Sequence, residues 1–90
     1  MSMQLQTLFV RVVPQDKDRG YMLMAGYDAQ IVQSNCASYT TLSDINRATL
    51  DAAMERMRTN YNAVTIRDVT APALQRKLQK LFGEPITKAV

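Results

Sequence analysis

The chain has 90 residues, 47% of them hydrophobic, with eleven Lys and Arg against eight Asp and Glu, no histidine and one cysteine. The missing imidazole and the lone thiol exclude zinc fingers, zinc hydrolases, histidine-dependent triads and dyads, and any internal disulfide. The length suits one domain, no apolar run approaches the roughly 20 residues of a membrane span, and Met1-Ser2-Met3-Gln4-Leu5-Gln6 lacks the basic and apolar regions of a signal peptide.

Residues 5–13 read as a strand. Leu8, Val10 and Val12 fall on one side of a period-two pattern, and Phe9, Arg11 and Val13 fall on the other. Apolar groups on both sides suit a central strand, or one whose second face meets a partner. Pro14 ends it, because proline has no N–H for the ladder. A charged loop, 15–20, closes at Gly20 and leads to a second strand at 21–25, forming an antiparallel hairpin. Gly26-Tyr27-Asp28 is a turn signal, and residues 29–39 read as a longer, polar third strand, broken near Asn35 and suited to a sheet edge.

Leu50, Ala53, Met54, Met57 and Tyr61 then form one helical stripe. Ser43-Asp44 or Thr49 can cap this helix, Ile45 lies off its stripe, and Asn60 or Asn62 offers a left-handed C-terminal cap. A fourth strand is predicted at 63–69, with Val64 and Ile66 on one face. Thr70 then caps a second helix over 72–82, whose stripe is Leu74, Leu78, Leu81 and Phe82 and which Gly83 stops. The expected fold is a small single α+β domain of order β-β-β-α-β-α, with a mainly antiparallel sheet covered on one face by one or two helices. The domain is expected to span 1–83, and 84–90 to form a flexible tail.

In element order alone, residues 5–70 resemble the small β-β-β-α-β domains of HicB-type antitoxins, with Phe9-Val10, Tyr21 and 50–57 at comparable places. No functional residue is carried over from that likeness.

Chemistry finds little foothold in the sequence. Asp16 and Asp18 flank Lys17 without the further oxygen ligands of a calcium loop, and Asp51 and Glu55 have Arg47 and Arg58 as ion-pair neighbours. Cys36 has neither base nor cation beside it in sequence and reads as a buried apolar residue. Ser34, Ser38 and Ser43 have no imidazole partner, and Gly20, Gly26 and Gly83 are too dispersed for a phosphate loop. No catalytic residue, cofactor or metal is assigned.

Charge is uneven. Three cations meet four carboxylates in 1–45, whereas eight meet four in 46–90. Arg56, Arg58, Arg67, Arg76, Lys77 and Lys80 are therefore the candidate nucleic-acid contacts, with the second helix at their centre. Phe9, Arg11, Val13, Tyr21 and Met24 are the candidate protein interface, and six methionines add adaptable apolar surface. The expected function is that of a non-enzymatic regulatory or accessory protein, cytoplasmic and of phage or mobile-element type. It binds a protein partner or itself as a homodimer, with nucleic acid as the alternative and no membrane role.

Overall fold

The computed structural model describes residues 6–16 and 20–87. Its elements are β1 (Thr7–Pro14), β2 (Tyr21–Gly26), α1 (Ala29–Gln33), β3 (Ser38–Leu42), α2 (Arg47–Asn60), β4 (Thr65–Asp68) and α3 (Pro72–Phe82). The α+β class read from the sequence stands. The sheet has four strands in the order β3-β2-β1-β4. β1 pairs antiparallel with β2 and parallel with β4, while β3 pairs antiparallel with β2, so the sheet is mixed.

The predicted alternation of β1 decides which face is core. Leu8, Val10 and Val12 are buried and join Leu23 and Ala25 of β2, Leu42 of β3, and Leu50, Ala53, Met54 and Met57 of α2 in one cluster. Leu78 of α3 is buried in the same cluster, with Leu74 and Phe82 packed against it. Leu81 leaves its predicted stripe and is 66% exposed. The hairpin is tight at Gly20, where φ is +91° and a β-carbon would stand 2.1 Å from the Leu42 carbonyl oxygen. Only glycine fits there. Residues 17–19 of that charged loop lie outside the described residues.

The helix boundaries differ from those expected in ways the caps explain. α2 is capped by Asn46, between the two predicted candidates. Its side chain accepts from the Thr49 N–H at 3.0 Å, and the Thr49 hydroxyl accepts from the Asn46 N–H at 3.0 Å. Ile45, just before the cap, and Leu50 are both buried in the core, as a hydrophobic staple requires. Asn62 supplies the left-handed C-terminal residue, at φ 56°. The Ala63 N–H reaches the Arg58 carbonyl and the Asn62 N–H the Thr59 carbonyl, the paired bonds of a Schellman ending.

The predicted strand over 29–39 is overturned. Asp28 accepts from the Gln30 and Ile31 N–H groups and starts α1, and Asn35, at φ 62°, ends it with the same pair of bonds from Cys36 and itself. β3 is correspondingly short, and the β-β-β element order shared with the antitoxin domains ends at residue 28. Cys36, expected to be buried, is exposed just beyond this turn.

α1 lies on the sheet face opposite α2 and α3. Val32 is fully buried, and a β-carbon on Gly26 would approach its Cγ2 to 3.3 Å. Arg11 Nη1 donates to the Gln33 carbonyl at 2.8 Å and to Asn35 Oδ1, tying the segment down.

β4 is shorter than its predicted 63–69, and Val64 stands 56% exposed outside it. Thr70 does not cap α3. Ala71 occupies that position, with Pro72 in the first turn, and Gly83 at φ 74° ends the helix. The domain also extends past residue 83. Ile86 is buried in the core, and Arg47 donates to the Pro85 and Ile86 carbonyls at 2.8 and 2.6 Å.

Candidate protein-binding groove

β3 ends the sheet on one side, and no described residue pairs with its outer edge. Its sequence, Ser-Tyr-Thr-Thr-Leu, has no charge, proline or glycine. Folded proteins commonly blunt exposed edges with such residues, because a row of free N–H and C=O groups is a template for another strand. The opposite edge, β4, has Arg67 and Asp68 among its four residues. The two edges are therefore unlike: one is charged, the other open.

Beside the open edge, α2 raises a wall. Between Ser38, Tyr39 and Thr40 on one side and Ala53, Arg56, Met57 and Asn60 on the other lies a cleft of about 450 Å³, which Tyr61 also lines. The register Ala25↔Ser38 and Leu23↔Thr40 puts Ser38 and Thr40 on the face that α2 and α3 cover, and Met24↔Tyr39 puts Tyr39 on the reverse face. Ala53 and Met57 are the apolar floor, while Arg56 and Asn60 stand exposed at the rim. Tyr61 is braced from below. Tyr27 donates its hydroxyl to the Tyr61 carbonyl, and the two rings meet edge to face with centroids 5.3 Å apart.

Among the described residues lining the cleft Arg56 is the one that is charged, and no described carboxylate pairs with it. Its neighbour Glu55 is taken by Arg58. Their hydrogen bond outweighs an opposing effect of desolvation and, with a smaller contribution from charge attraction, holds the Glu55 carboxyl below its ordinary pKa. The same bond raises that of Arg58.

The residues singled out for nucleic acid do not gather on one surface. Arg76, Lys77 and Lys80 are exposed together on α3, which contains no acidic residue. Arg58 is occupied by Glu55 and by the Ala63 carbonyl. Arg67 alternates with the core residue Ile66 and so lies on the reverse face of the sheet from α3. Arg56 belongs to the β3–α2 cleft. The five candidate protein-interface residues also divide. Tyr21 packs against the core on the α3 side, Met24 is buried, Arg11 holds α1, and Phe9 and Val13 remain half-buried on the reverse face.

The groove itself escapes sequence reading, because Ser38–Leu42 and α2 become neighbours only once α1 has shortened the third strand. The signal present in the sequence is the run of uncharged β-formers, Tyr39-Thr40-Thr41, without a gatekeeping charge or proline. Among the described residues there is no group of three or more His, Cys, Asp or Glu that could hold a metal ion. Nor is any described helix long and apolar enough to cross a membrane. No family model, no curated protein and no solved structure matches the chain.

Proposed function

We propose that this domain is a small regulatory or accessory protein that works by binding another protein, without catalysis, at the groove between β3 and α2. One observation carries the reading: an uncharged edge strand lies open beside a cleft with an apolar floor. Strand addition satisfies both backbones at once, and the helix beside the edge supplies pockets that choose among side chains. A cytoplasmic setting agrees with the exposed thiol of Cys36, which a reducing compartment keeps free. A role in a phage or other mobile element is part of this proposal, and the small size of the chain fits it.

A second reading, nucleic-acid binding by α3, is favoured by Arg76, Lys77 and Lys80 standing exposed on one helix without an acidic neighbour in it. The two separate in one experiment. The tagged full chain is used to capture partners from host extract at moderate and high salt, with and without nuclease. A stoichiometric protein retained through nuclease and salt supports the first reading. Nucleic acid lost on raising salt, and abolished by Arg76→Ala with Lys80→Ala, moves the function to α3.

A further inference from the structure

We infer that the β3–α2 groove takes an extended acidic peptide from a partner protein as a fifth strand of the sheet, an inference that rests on the protein-binding reading above. The free groups along β3 call for a ligand with a backbone of its own, which a small molecule lacks. β3 has five residues, so the segment it pairs with is of similar length, about 17 Å.

Side-chain chemistry narrows the class. A strand added beside β3 continues its alternation. One set of its side chains enters the cleft with Ser38 and Thr40, and the other lies along the reverse face with Tyr39 and Thr41. Inside the cleft the first set meets Ala53 and Met57, where the flexible thioether adapts to a medium-sized aliphatic group. The same set meets Arg56, whose guanidinium pairs with no described carboxylate. A cleft whose one charged lining residue, among those described, is an arginine with no described carboxylate beside it is complementary to an aspartate, a glutamate or a terminal carboxylate.

Charge also argues against a second copy as the occupant. Two-fold pairing of β3 with β3 brings two Arg56 side chains to one seam, and no described residue lining the groove offers either of them a carboxylate. A foreign peptide carries no such handicap.

The test selects displayed random linear 12-residue peptides on the full-length chain, then titrates the best peptide and its acid-to-amide version. Amide exchange is followed with and without peptide. The expected result has four parts: an Asp or Glu fixed at one position among β-branched neighbours, slowed exchange confined to 38–42, binding weakened roughly two- to fivefold by Arg56→Gln, and binding kept by Arg56→Lys. Arg56 is exposed and makes no described ion pair, so Arg56→Glu is expected to fold, and the circular dichroism spectrum checks this. Selection on Arg56→Glu should turn to Lys or Arg at the same position.

Peptides without an acidic preference, binding that leaves 38–42 exchange unchanged, or no binders at all overturn the inference. So does a homodimer of the free chain with 38–42 already protected, which gives the edge to a second copy. Protein binding as such can survive the loss of this inference. A host protein captured equally by wild type and Arg56→Glu, with no change in β3 exchange, keeps protein binding and removes the acidic groove.

Discussion

Thr70 shows how one hydroxyl can finish a sheet. β1 is a central strand, yet β4 ends at Asp68, and the last backbone bond between that side and β1 runs from the Val69 N–H to the Val10 carbonyl at 2.8 Å. The Val12 N–H, one step further, is accepted by Thr70 Oγ1 at 3.0 Å. That hydroxyl in turn donates to Asp68, which also accepts from the Thr70 N–H and from Gln75 Nε2, each at 2.9 Å. Thr70 is 4% exposed. Thr70→Val keeps the shape and removes the acceptor, leaving a buried N–H without a partner, and should cost about 1–3 kcal/mol in urea unfolding. Thr70→Ser should recover most of it. A valine variant as stable as wild type would mean that Val12 finds water or another acceptor. The sequence advertises a hydroxyl at this place, and it reads naturally as a helix cap before Pro72. The N–H it serves lies 58 residues away, which no local pattern displays.

At the level of elements, α2 is the most legible part of the chain and also holds its clearest titrating pair. Glu55 and Arg58 are both at the surface, and the carboxyl is held below its ordinary pKa chiefly by the Arg58 hydrogen bond. A carboxylate with a lowered folded-state pKa stabilises the fold above its unfolded value, and that contribution is lost as pH falls through the folded value. Glu55→Gln should therefore be slightly less stable than wild type near pH 7 and equal to it once the pH has fallen below both the unfolded and the lowered folded value. The difference should shrink in high salt, since the pair lies at the surface. A salt-independent difference that persists at low pH would point to lost packing instead. The stripes of α2 and β1 could be read because periodicity alone fixes their buried faces. The reading failed over 29–39, where Ile31 and Val32 satisfy strand propensity while two short polar residues decide otherwise. Asp28 opens a helix of five residues and Asn35 turns out of it, so a long edge strand becomes α1 plus a short β3. The groove inherits that illegibility, since its edge exists only because β3 begins at Ser38.

For the whole molecule, the arrangement of cores predicts how it comes apart. One cluster joins β1, β2, β3, α2, α3 and Ile86, with Ile66 of β4 packed against it. Val32 is buried but lies outside that cluster, on the reverse face with α1. A five-residue helix is far below the roughly 12–15 residues needed for independent stability. α1 therefore depends on Val32 and on the two bonds from Arg11. The chain should unfold in urea as a single transition, with circular dichroism and tyrosine fluorescence superimposed, because no subset of strands owns a separate core. Native-state amide exchange should nevertheless show 29–36 opening at lower free energy than β1 and β2. Arg11→Ala should speed exchange in that segment while moving the global midpoint little. If the two probes instead separate, the half running from α2 to α3 is a folding unit of its own. If Arg11→Ala lowers the midpoint as much as a core truncation, α1 belongs to the central cooperative unit. The first result would divide the domain between β3 and α2, through the groove itself. A coincident transition means that both walls of that groove, and hence its width, are set by the same cooperative core.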